Sequence, residues 1–169
     1  MRIAREALVK DRTATLNRQK TLTVALLKRQ TAQRLKQLEA QLLDIDEAIR
    51  AAISANAQLE RRYQILVTIP GISRVTAVIL LIDMPELGTL TGKEAASLVG
   101  LAPVSRQSGR WKGRAFIRGG RAQLRQALSM PALVAARFNA DLATMCERMI
   151  GAGKPAKVAI TALMRKLVI

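Results

Sequence analysis

The first helix breaker in this chain is Pro70. The sixty-nine residues before it contain neither Pro nor Gly and are rich in Ala, Leu, Arg, Lys and Gln. Such residues pay little to enter a helix, which predicts helix almost throughout this stretch. From its middle onward the apolar spacing is regular: Leu35, Leu38, Leu42, Ile45, Ile49, Ala52, Asn56 and Leu59 alternate steps of three and four. A seam of this kind belongs either to a coiled coil or to a long amphipathic helix packed on its own domain. The unbroken alternation favours the coiled coil, as does Asn56 read as a polar register-setting position. The expectation is a homodimer or higher assembly through residues 35–59. Extended backwards, the register meets Thr31, Lys28 and Val24, so a bend or helical hairpin is expected between about Lys20 and Thr31.

Charge divides this arm. Residues 1–38 hold ten bases against Glu6 and Asp11, whereas residues 39–60 hold five acids against Arg50 alone. The basic half can follow a phosphate backbone and the acidic half cannot. Over the whole chain 28 Lys and Arg oppose 12 Asp and Glu, a formal net charge of +16, which calls for a polyanionic partner, with DNA foremost. Other classes fall away. An apolar fraction of 50% excludes a disordered tail. There is no His to act as base or ligand, and the single Cys146 can form neither an internal disulfide nor a zinc cluster, which fits a reducing cytoplasm. Aromatics at 2% are too few for a stacking surface on single strands. No apolar run reaches the roughly 18–20 residues of a membrane span, so no membrane partner is expected.

All ten glycines and all five prolines lie beyond Arg61. Helical periodicity continues there in short pieces, over 63–69, 73–83, 93–99, 120–139 and 142–150, with a last helix from Pro155 to Ile169. Residues 102–119 are the least helical, with a short hairpin expected near Trp111–Ile117. The predicted fold is all-α or nearly so. A helical coiled-coil arm (1–60) precedes a compact helical domain (61–169).

Two groups of residues carry chemistry. In the first, an apolar segment ends at Pro70-Gly71, Ile72 plugs the turn, and a second helix begins at Ser73-Arg74. This resembles the helix-hairpin-helix motif (here 62–83), in which backbone N–H groups at a helix start meet a DNA phosphate. Gly71 and Ile72 would sit at the phosphate and Arg74 would add charge. Ser73 stands where a second Gly is common and can cap the next helix instead. A plain turn between core helices is the other reading.

The second group is the Ser-Gly loop, residues 100–121. Arg106, Arg110, Lys112, Arg114, Arg118, Arg121 and Arg125 supply seven bases and no acid between 106 and 125, punctuated by glycines. That composition suits phosphate engagement. Ser108 beside Gly109 lies among them. A serine hydroxyl becomes a nucleophile when a base takes its proton and cations stabilise the phosphate. Arg106 and Arg110 could do the latter, but no residue nearby is a convincing base, and a Ser-Gly pair is otherwise a turn.

The blocks IPGISRVTAVILLIDMPELG, GLAPVSRQSGRWKGR, GGRAQLRQAL and GKPAKVAITALMRKL, in this order across residues 62–168, resemble the C-terminal domain of the insertion-sequence-110 transposase family. The resemblance implies a DNA transposase or recombinase in which Ser108 is the nucleophile that joins DNA phosphate. It also implies that residues 1–60 correspond to a dimerising coiled coil. The family's RuvC-like nuclease domain, whose four acids hold divalent metal (Mg), has no counterpart here. Asp83 and Glu86, either side of Pro85, offer too few converging oxygens to replace it. The expectation is therefore no metal or cofactor in this chain, and chemistry only with a RuvC-like partner domain. Some members use a structured guide RNA, which the charge would suit. The contrasting reading is a catalytically silent dimeric DNA- or RNA-binding module. Either would work in the cytoplasm, with the nucleoid.

Overall fold

In a computed structural model the chain is described throughout except for Arg106, Gly109 and Arg114 and the side chains of Trp111 and Lys112. It is mostly helical, with two compact units dividing after Glu60.

The first unit is a helical hairpin. Helix α1 (Arg2–Gln19) reverses over residues 20–24 into the long α2 (Ala25–Ser54). Neither Gly nor Pro makes this break. The β-branched Thr21, Thr23 and Val24 lose χ1 freedom in a helix, and the Thr21 hydroxyl donates to the Arg18 carbonyl at 3.0 Å, which offers the backbone a competing bond. The two helices run antiparallel, because their cross-pairs descend in one as they climb in the other. Arg5 Nη2 donates to Asp46 Oδ2 at 3.0 Å and Arg12 Nη2 to Glu39 Oε1 at 3.1 Å. Among the less exposed positions of α1, Arg5, Leu8, Arg12, Thr15 and Gln19 step by three and four, so α1 supplies in cis the helix that the α2 seam faces.

The seam itself differs from a straight heptad through Leu59. Leu35, Leu38 and Ile49 are buried and Leu42 and Ile45 half-buried, but Ala52 is exposed and Ile53 is buried instead. A straight helix of 3.6 residues per turn drifts off a 3.5-residue repeat, and the inward position moves one residue on. The helix then ends at Ser54. Asn56 is exposed, and its Oδ1 accepts from the amides of Gln58 (3.0 Å) and Leu59 (3.1 Å) at the start of α3 (Ala57–Thr68). Asn56 is a helix cap rather than a seam residue, since its short side chain satisfies amides that a helix start leaves open.

In the second unit, the rest of α3 leads to α4 (Arg74–Asp83) and α5 (Gly92–Val99). Four two-residue strands follow: β1 (Pro103–Val104), β2 (Gln107–Ser108), β3 (Trp111–Lys112) and β4 (Phe116–Ile117). Helices α6 (Ala122–Phe138), α7 (Ala140–Gly151) and α8 (Ala156–Lys166) complete the unit. Helix α6 is the hub, packing on α4, α5, α7 and α8. Leu124, Leu128, Ala132 and Ala135, fully buried, recur at helical spacing on its inward face. The strands pair as β1–β4 and β2–β3, both antiparallel, so residues 103–117 form one hairpin of two nested ladders. The hairpin thus begins earlier than Trp111, because Pro103 and Val104 pair with Ile117 and Phe116, and Gln107 and Ser108 with Lys112 and Trp111.

Asn56→Leu separates the two roles of that residue. As a cap it is expected to contribute about 1 kcal/mol, so urea denaturation should show the variant destabilised. A polar seam residue replaced by Leu would leave the protein more stable instead.

Candidate nucleic-acid interface

The hairpin of 103–117 stands on a clamped base. Gly100 ends α5 with φ +75° and Gly120 precedes α6 with φ +63°, conformations that side chains with a Cβ resist. The two glycines touch: a Cβ on Gly120 would lie 2.3 Å from the Gly100 nitrogen, and one on Gly100 would lie 2.2 Å from the Gly119 carbonyl oxygen. The Arg121 amide donates to the Leu98 carbonyl at 2.9 Å across the same gap. Arg125 Nη1 donates to the carbonyls of Val99 (3.2 Å) and Gly119 (2.7 Å), tying both strands of the base together. Leu101, just above, is buried.

Ser108 occupies the last paired position before the reversal, opposite Trp111, and is exposed. Ser105 is also exposed but lies between the two ladders. Arg110 is exposed in the connection, and the exposed Arg118 stacks its guanidinium 5.7 Å from the Phe116 ring centre. Arg106, Gly109 and Arg114 lie outside the described residues, as does the side chain of Lys112. No acid occurs from Pro103 to Arg125, so every charged residue of the segment is a base.

Arg121 and Arg125, read from the sequence as phosphate-binding, both have partners within the unit. Arg121 grips Glu86 with both terminal nitrogens, at 2.9 and 2.7 Å, and donates to the Asp83 carbonyl at 2.6 Å. Together with the Arg125 bonds, this commits both side chains to holding the loop after α4 and the hairpin base against α6. The Arg121 guanidinium holds the Glu86 carboxyl at about 2, well below its ordinary value, with the backbone of Glu86 assisting; Arg121 is raised in turn by Glu86. Sequence reasoning missed this pair, and Arg62, which donates to the carbonyls of Pro85 (3.0 Å) and Leu87 (2.9 Å). Partners 23 to 38 residues apart leave no local signal.

The helix-hairpin-helix region is similarly redistributed. The Ser73 hydroxyl caps α4 by accepting from the Thr76 amide at 3.2 Å. Arg74 is exposed at the first position of that helix, where the leading amides have no intrahelical acceptor and favour an anion. Ile72, however, is buried and its amide donates to the Ile69 carbonyl at 2.9 Å. Gly71 has φ +103° and faces α6, where a Cβ would lie 2.6 Å from the Pro131 carbonyl oxygen. Glycine is needed here to seat the turn on α6, beside the phosphate contact read for Gly71 and Ile72 from the sequence.

Among the described residues, no three His, Cys, Asp or Glu side chains converge as a metal site. Glu86 is engaged by Arg121 and Glu94 by the capping box with Thr91.

The model of the Transposase IS116/IS110/IS902 family matches residues 63–147, a stretch that takes in α4, the clamped hairpin and α6. The chain belongs to this transposase family. It is 33% identical over 165 residues to the pilin gene-inverting proteins of Moraxella bovis and of Moraxella lacunata. In each case the match covers 95% of this chain and 49% of the relative, so the chain spans about half the length of these relatives. No helix among the described residues is long and apolar enough to cross a membrane.

Two outcomes follow from this geometry. Gly120→Ala should destabilise by about 2 kcal/mol or more, whereas Gly119→Ala, with φ +67° but open space around it, should lose only the roughly 1–2 kcal/mol of a left-handed residue. Urea denaturation of both reads the difference. The Arg121–Glu86 pair contributes stability above pH 4.5 that is lost as pH falls toward about 2, because the folded carboxyl titrates below the unfolded one. Thermal melts of wild type and Glu86→Gln should therefore differ at pH 6 and converge near pH 2.

Proposed function

We propose that this chain is the serine-bearing, DNA-contacting part of a DNA transposase or recombinase, with Ser108 as its nucleophile. The observation that carries this reading is the placement of Ser108: exposed, at the end of a β-ladder with a clamped base, in a segment of seven bases and no acid. In the reaction the Ser108 hydroxyl gives up its proton and Oγ bonds to phosphorus. The phosphorus–oxygen bond to the leaving strand breaks, and the departing oxygen takes up a proton. Arg106, Arg110, Lys112 and Arg114 hold the phosphate and offset the charge that develops on it. Arg74 and Arg118 extend the positive surface along the DNA. The proton acceptor is not in the hairpin, since the chain has no His and the segment no acid. A RuvC-like domain of the kind the family resemblance implies would supply it, together with divalent metal.

The +16 charge would also accommodate a structured guide RNA beside the DNA, in the cytoplasm with the nucleoid. Assembly through residues 35–59 would have to use what α1 leaves uncovered on α2, where Leu43 is exposed and Leu42 half-buried.

The test supplies this chain with the RuvC-like domain of a family relative, Mg²⁺ and labelled duplex DNA. Denaturing electrophoresis should show a protein–DNA adduct whose linked peptide contains Ser108. Ser108→Ala should abolish the adduct and change affinity little, since one neutral hydroxyl contributes only about 0.5–1.5 kcal/mol. Ser105→Ala should leave it intact. An adduct surviving Ser108→Ala, or one mapped to Ser105 or Tyr63, overturns the assignment. Binding without any adduct favours a silent DNA-binding module.

A further inference from the structure

The bases of the α1–α2 hairpin fall into two populations. Away from its tip they are neutralised: Arg2 and Lys10 pair with Glu6, Arg5 with Asp46, Arg12 with Glu39 and Arg50 with Glu60. Toward the tip no acid occurs between Asp11 and Glu39. There Arg18, Lys20, Lys28, Arg29, Arg34 and Lys36 form no ion pair among the described residues, and Lys20 donates only to the neutral Asn17 side chain, at 3.3 Å. The unneutralised charge is thus concentrated at one end of the helical hairpin. On α2, Arg29 and Lys36 share one side, a heptad apart, while Arg34 lies on the other side of the buried Leu35. Between these flanks the extreme end carries exposed aliphatics: Val24 (54%), Leu26 (52%) and Leu27 (43%).

A convex end with cations on both flanks and apolar side chains at its apex matches a nucleic-acid groove. The groove has phosphates on its two walls and the less polar sugar and base surface between them. The basic stretch of α2 from Lys28 to Lys36 rises about 12 Å, enough to pass two or three phosphates of one strand. We infer that the tip of the α1–α2 hairpin is a second, sequence-independent contact for duplex DNA, separate from the Ser108 hairpin. The six bases neutralise phosphates, and Val24, Leu26 and Leu27 lie against the groove floor. The inference takes duplex DNA as partner from the function proposed above, but it rests on its own residues.

The test measures binding of the full chain to a labelled DNA duplex between 50 and 300 mM salt, on the order of the range in which counterion release is read. The tip variant replaces the six bases by Gln, a good helix former, with helicity checked by circular dichroism. If at least half of them contact phosphates, its log–log salt slope should be shallower by about three units or more. A second variant, with Arg110, Lys112 and Arg118 as Gln, should reduce the slope independently, so that the two losses add. Lys20, Lys28 and Lys36 exchanged for Arg should keep the full slope. Leu26→Ser with Leu27→Ser should weaken binding several-fold with the slope retained.

An unchanged slope in the tip variant overturns the inference while leaving the Ser108 hairpin as the DNA contact. Absence of duplex binding by the wild-type chain overturns both. An effect of the tip variant confined to duplex RNA assigns the tip to RNA and overturns it as well. So does one confined to phosphatidylglycerol vesicles, or a fall in oligomer size for the Leu26 and Leu27 variant with DNA binding intact, which would make the tip a lipid or self-association surface.

Discussion

The contact between Gly100 and Gly120 is the point on which the second unit turns. Residues 101–119 leave the helical core and return to it, and two-residue strands cannot hold such an excursion in place by themselves. Its ends are joined instead at a separation that only glycine allows, with both glycines in the left-handed region. Arg125 bridges the carbonyls on either side, and Arg121 fastens the next residue to Leu98 and to Glu86. A loop with closed ends loses less entropy when its tip orders, so Ser108 can be presented to solvent on a short ladder.

This arrangement explains why the seven bases of 106–125 do not form one population. Arg121 and Arg125, nearest to the core, are drawn into it by carbonyls and a carboxylate that need donors; Arg110 and Arg118, on the hairpin, stay exposed. The first unit repeats the division. Acids of α2 meet the bases of α1 where the two helices lie side by side, and the tip, beyond the last acid, keeps its charge. Exposed ion pairs of this kind add little stability individually, but they set the register of the two helices and remove those bases from competition for phosphate.

Much of the helical framework was legible along the chain. The run without Gly or Pro, the break near Lys20, and the helices from α4 to α8 follow from propensity and punctuation, which act over a few residues. Asn56 shows where such reading stops. Its position in the heptad count and its ability to cap a helix are both local facts, and only the end of α2 at Ser54 decides between them. Gly71 and Ile72 are similar. The Pro-Gly turn was visible, but whether glycine serves a phosphate or a neighbouring helix depends on α6, sixty residues away in sequence.

What the sequence determined by itself was the helical class, the family and the excess of positive charge, because these reside in residue types and their short-range order. The tertiary structure decided which of those charges remain available. Hydrogen bonds and ion pairs are satisfied by whichever partner folding brings within about 3 Å, and that partner is commonly tens of residues distant. Arg121 and Arg110 are indistinguishable as letters in a basic run, yet one is held by Glu86 and the other faces solvent beside Ser108.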